Sequence, residues 1–188
     1  MPVLYVFLAR TEKTITDVVY LALRPDGTLK PFDEASPGSP KAVRINFTAK
    51  DGRAQSLLFF STNLANKGVE ESGMLRFTAS LGPGDALIKS ASYLPHGNVF
   101  SGVREFILQQ ARIVQDDTGV PIRYLKEGEW QLVPHGVYVR PIPPFGHAYQ
   151  TAATALWARH KPGRLDFFYG YRFRNNQSNV LVATRSGG

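Results

Sequence analysis

The sequence predicts an α+β fold: a curved, largely antiparallel sheet of about eight or nine strands, with two main helices packed on one face. Three observations carry this expectation. Short runs rich in β-branched and aromatic residues recur along the chain, bounded by Gly, Pro, Asn and Asp. Two stretches, 101–111 and 148–160, place apolar residues three and four apart, the spacing of a helix face. The strands run in series before and after these helices rather than alternating with them, as antiparallel sheets do.

Taken in order, 3–9 (VLYVFLA) is apolar and short, and its period fits a buried strand or the end of a helix equally well. The β-branched run 15–23 reads as a strand ended by Pro25-Asp26-Gly27. Residues 31–40 (PFDEASPGSP) hold three prolines and form a loop. In 42–48, Val43, Ile45 and Phe47 alternate with Arg44 and Asn46, which makes a half-buried strand. Asp51-Gly52 then turns the chain into a partner strand over 55–61. Leu57 to Phe60 is apolar on both faces, so this strand is expected at the centre of the sheet. Residues 63–73 read as a polar loop, and 74–81 as two helical turns stopped by Gly82-Pro83-Gly84.

The stretch 85–125 organises the rest. A strand over 86–92 leads into a Pro95-His96-Gly97-Asn98 loop. Ser101 then suits a helix N-cap, and Val103, Phe106, Ile107, Gln110 and Ala111 make the buried face of the helix. Arg104, Glu105 and Gln109 fall elsewhere and should meet solvent or another segment. Residues 112–115 and 120–125 flank Asp116-Asp117-Thr118-Gly119. This reads as a hairpin turn, with Gly119 in the left-handed region.

Further on, 130–133 and 136–142 read as short strands, and Pro141 to Pro144 as an extended passage. The helix over 148–160 presents Tyr149, Ala152, Ala153, Leu156 and Trp157 on one face. The strands 165–173 and 179–184 close the chain.

The 188 residues suit a single α+β domain, 1–188. Without cysteine, disulfides and thiolate metal sites are excluded. None of His96, His135, His147 and His160 stands at metal-ligand spacing, so neither metal nor cofactor is expected. No apolar run reaches the ~20 residues of a membrane span. The formal charge of +7 favours acidic partners, but the basic residues are spread along the chain rather than clustered.

The patterns KSASYLPH, FSGVREFIL and QDDTGVPIRYL, followed by Trp130 and Gly136-Val137-Tyr138, resemble those of a family of exported bacterial proteins with no assigned activity. The likeness covers roughly the last hundred residues and extends poorly to the first forty. It implies a periplasmic or exported protein, with the cytoplasm as the alternative. It also implies that this chain is the C-terminal part of a longer one.

Two kinds of chemistry are open to the central stretch. A hydrolase would take Ser90, Ser92 or Ser101 as nucleophile, His96 as base and Asp116 or Asp117 as orienting acid. A non-catalytic site would gather Lys89, Tyr93, His96, Arg104 and Gln115 near one sheet edge, because short connections keep consecutive elements adjacent. Asp116 or Asp117 would then pair Arg104. Tyr169 to Arg174 interleaves aromatic and basic residues that suit bases or sugar rings, but strand alternation would send the tyrosines and the arginines to opposite faces. The expected function is a non-catalytic binding or structural module whose partner is a small molecule or a protein. A Ser/His hydrolase acting on an ester, amide or lactone is the alternative. Nucleic-acid or polyanion binding through the basic surface is the second.

Overall fold

The structure is a computed structural model and describes residues 2–33, 40–89, 93–171 and 175–187. It is a mixed α+β fold with two four-stranded sheets in place of the one expected. The residues fall into two compact units, Met1–Ser80 and Leu81–Gly188. The cause is local pairing: consecutive strands joined by tight turns form hairpins, and a helical pair then interrupts the series. Among the described residues no helix is long and apolar enough to cross a membrane.

In the first unit, 3–9 is helical within α1 (Pro2–Arg10). Strands β1 (Thr14–Leu23), β2 (Leu29–Pro31), β3 (Ala42–Thr48) and β4 (Ala54–Phe60) form an antiparallel sheet of order β2-β1-β3-β4. The strand expected at the centre, β4, is therefore an edge. Two of its apolar residues, Leu57 and Phe60, pack under helices, while Phe59 is exposed. Leu57 packs with Leu4, Leu8 and Ile45 beneath α1. Phe60 meets Phe77 of α3 (Met74–Ser80), with ring centroids 5.3 Å apart.

The expected loop 63–73 contains a second helix, α2 (Asn66–Ser72), which buries Val69. Composition hid it, because Gly68 interrupts it. A Cβ on Gly68 would lie 2.7 Å from the Asn63 side chain, so the glycine is there for close approach. Gly73 ends α2 in the left-handed region (φ 77°). A Cβ there would lie 2.0 Å from the Arg24 carbonyl oxygen.

The second unit is a mixed sheet of order β5-β6-β8-β7, with strands β5 (Gly84–Ile88), β6 (Ala111–Asp116), β7 (Trp130–Gly136) and β8 (Asn179–Arg185). Helix α4 (Ser101–Gln110) crosses over between β5 and β6, which are parallel. Helix α5 (Thr151–His160) places Ala153, Leu156 and Trp157 on a core with Val114, Trp130, Leu181 and Ala183. Pro134 lies within β7, where it is tolerated because β7 is an edge strand. The expected strands over 136–142 and 165–173 do not form among the described residues. On α4, Ile107 and Leu108 face the core as an amphipathic helix requires, but the most buried residue is Arg104, at 3% exposure.

The expected hairpin after β6 is absent. Beyond Asp116 the chain closes into a tight loop and then a 3-10 turn at Ile122–Tyr124. The backbone donors that a returning strand would need are taken by side chains. The N–H groups of Gly119 and Val120 donate to Asp116, and that of Ile122 donates to Gln150. Pro121 has none to give.

The contrast between two left-handed glycines provides a check. Gly73→Ala should unfold the first unit or lower its stability by several kcal/mol, because the added carbon meets backbone. Gly82→Ala, at the same φ of 77° but with open space around it, should cost only about 1–2 kcal/mol. Similar melting temperatures for the two variants would refute the α2–β1 packing.

Candidate functional site

The site is built at the end of β6, where two adjacent aspartates do different work. Strand alternation turns Asp116 inward with Val114, and the sheet pairs it with Leu181. It is fully buried. Its Oδ1 accepts the Gly119 N–H at 2.9 Å and its Oδ2 the Val120 N–H at 3.1 Å. Burial pushes its carboxyl up to about 8, against the pull of these N–H donors. A protonated carboxyl keeps a lone pair on each oxygen, so both contacts survive.

This loop forces Thr118, not Gly119, into the left-handed region, at φ 64°. The sequence signal was misleading here, since a β-branched residue resists that conformation. Surrounding contacts hold it there. The Thr118 hydroxyl donates to the Asp117 carbonyl at 2.6 Å. The Thr118 carbonyl accepts from Gln150 Nε2 at 3.1 Å and faces His96 Nε2 at 3.3 Å.

The same loop aims Asp117 into a narrow cleft with about 30 Å³ of room, walled by Tyr93, Tyr138, Tyr169 and Tyr171. The Asp117 side chain is only 5% exposed. Its Oδ2 pairs with Lys89 Nζ at 3.1 Å. Its Oδ1 has no hydrogen-bond partner among the described residues, and neither do Gln177 Oε1 and Asn179 Oδ1, which line the same cleft. Buried polar atoms are normally paired, so three orphans in one small space are a signal.

Lys89 Nζ lies 5.5 Å from the Tyr169 ring centroid and 5.0 Å from that of Tyr171. The expected strand would have set these rings on one face of a sheet. Instead Gly170, at φ 82°, turns the chain, and both rings reach the one lysine. The Tyr169 hydroxyl donates to the Ile88 carbonyl at 3.1 Å. Burial raises the phenols of Tyr138 and Tyr169, and it holds that of Tyr93 at about 12. The cleft therefore presents neutral hydroxyls.

Lys89, Tyr93 and Asp117 thus meet at the cleft, and His96 stands beside it with its ring edge-on to Tyr93, centroids 5.7 Å apart. Burial lowers the His96 imidazole below its ordinary value, which keeps it neutral. Among the described residues its Nε2 faces the Thr118 backbone carbonyl. Arg104 is buried as the sequence allowed, but neither aspartate is its partner. Its Nη1 donates to the Pro95 carbonyl at 2.8 Å, and its guanidinium lies 4.1 Å from the Tyr124 ring centroid. Gln115 is not in the cluster. It alternates to the opposite sheet face from Asp116 and is exposed. Ser101 is the first residue of α4 rather than its cap, a position that Phe100 holds. Ser90 and Ser92 lie outside the described residues.

Sequence reasoning missed Tyr138, Gln177 and Asn179 as part of the site. Only the pairing of β7 with β8, which joins Gly136 to Asn179, brings them near Asp117. The chain matches no family model, no curated protein and no solved structure.

The buried carboxyl gives a pH signature. In the unfolded chain Asp116 ionises near 3.8, and in the folded protein near 8. Between these values the folded state holds the extra proton, so stability should fall as pH rises from about 4 to about 8. In a carboxyl-detected ¹³C titration, the Asp116 resonance should stay at its protonated position through pH 6. Movement near pH 4 would refute this assignment.

Proposed function

We propose that the second unit is a non-catalytic binding module of an exported bacterial protein, and that its ligand is held at the Asp117 cleft. The observation that carries this reading is the unpaired carboxylate oxygen. A buried charged acceptor without a donor costs stability, typically ~1–3 kcal/mol and more for charged groups. A site of purely structural purpose gains nothing by keeping one, whereas a binding site uses it when the ligand arrives. The strained Thr118 supports the reading, because it holds Asp117 at the cleft against the ordinary preference of the backbone. The neutral phenols and the His96–carbonyl contact support binding over proton transfer. Export rests on the resemblance of the central stretch.

Two measurements test the proposal. Asp117→Asn should leave the melting temperature of the full chain unchanged or raise it. Lys89 is 44% exposed and can reach water once its partner is neutral, so no buried charge is stranded. A clear drop in melting temperature would instead make the ion pair structural. In a ¹⁵N titration of the full chain with a set of small hydrogen-bonding compounds, perturbed amides should cluster at Thr118, Val139, Gly170 and Asn179. Perturbations by none of the set, or scattered ones, would overturn the proposal.

A further inference from the structure

We infer that the cleft takes a neutral saccharide, held through two adjacent ring hydroxyls; this rests on the binding reading above and names its ligand class. Three facts narrow the chemistry. The first is the sense of the hydrogen bonds. The orphaned atoms Asp117 Oδ1, Gln177 Oε1 and Asn179 Oδ1 are all acceptors, so the ligand must bring donors. A carboxylate ion brings none and would meet the Asp117 carboxylate, whatever attraction Arg140 in the same wall adds.

The second fact is charge. A cation would satisfy three acceptors, and tyrosine faces attract cations. Here that position is already held. Lys89 Nζ lies 3.1 Å from Asp117 Oδ2 and against the Tyr169 and Tyr171 rings. A second cation would enter beside it, in a cleft whose one carboxylate is already neutralised. Like-charge contact in a poorly solvated space is unfavourable, so neutral donors win.

The third fact is shape. Room of about 30 Å³ exceeds what one water needs but excludes a whole ring. One edge of a ligand can enter while its body stays outside. The body would meet an aromatic surface at the mouth, where Tyr171 is 40% exposed and lies 5.5 Å from Phe145 by ring centroids. A pyranose has both parts: vicinal hydroxyls on its edge and an apolar C–H face to lie on aromatic rings. Small amides and ureas bring neutral donors but have no such face.

The test uses the ¹⁵N-labelled full chain titrated separately with maltose, cellobiose and N-acetylglucosamine, with methylammonium and N-methylacetamide as comparisons. At least one saccharide should shift the Thr118, Gly170 and Asn179 amides saturably, and the comparison compounds should leave them in place. Asp117→Ala should weaken the saccharide about tenfold or more, the loss expected for a buried hydrogen bond to a charged group. Gln177→Leu, in a connecting segment, should also weaken it and serves where Asp117→Ala fails to fold. Saturable shifts of the cleft amides by methylammonium or N-methylacetamide, with the saccharides silent, would overturn the saccharide inference and leave the binding reading standing. Silence from every compound here and in the broader set would overturn both. Saccharide shifts undiminished in both variants would place the ligand elsewhere and also overturn the inference.

Discussion

The second unit depends on the carboxyl of Asp116 and the two backbone N–H groups it accepts. Without it, β6 would continue into the hairpin that its sequence suggests. With it, Gly119 and Val120 fold back onto the strand end. The turn that results has no room for an ordinary backbone angle at Thr118. That residue is held by Gln150 from the segment entering α5, and its carbonyl faces His96 from the β5–α4 connection. One buried carboxyl therefore joins three separate segments. The orientation of Asp117 follows from the same geometry, because neighbours along a chain that turns sharply cannot face the same way.

The cleft that Asp117 enters is a balance of charge and aromatic surface. Its carboxylate is met on one side by Lys89, whose ammonium rests against two tyrosine rings. The other oxygen is left bare. Pairing one oxygen lowers the cost of burying the charge enough for the site to persist. The second stays without a hydrogen-bond partner among the described residues. Gly170 is the residue that permits this, since its positive φ lets two tyrosines approach one lysine from a short segment.

The first unit shows the same dependence on backbone approach, without a comparable polar cluster among the described residues. Gly27 and Gly73 let the β1–β2 turn come against the α2–α3 junction. A side chain at either position would collide with backbone atoms less than 3 Å away. The helices α2 and α3 are short, and their stability comes from the burial of Val69 and from Phe77 against Phe60 of β4 rather than from intrinsic propensity. The edge position of β4 follows as well: with helices supplying apolar contact, strand neighbours on both sides are not needed.

The sequence by itself determined the α+β class, most strands, and the helices α3, α4 and α5, because these depend on periodicity and on local stop signals. The turns at Asp26-Gly27 and Asp51-Gly52 were legible for the same reason. It also singled out Lys89, Tyr93, His96 and the two aspartates as chemically capable. What it misjudged around the site turns on the destination of backbone and polar groups. The hairpin after Asp116 failed because the donors of Gly119, Val120 and Ile122 are taken by side chains, one of them 28 residues away. Gln115 dropped out of the site because strand alternation sends it to the other face from Asp116. Tyr138, Gln177 and Asn179 entered it because β7 and β8 pair across more than forty residues of chain. Local pattern decides what an element is. Tertiary pairing decides which side chains from different elements share one space, and only that sharing gathers three residues with unpaired acceptors around the same cleft.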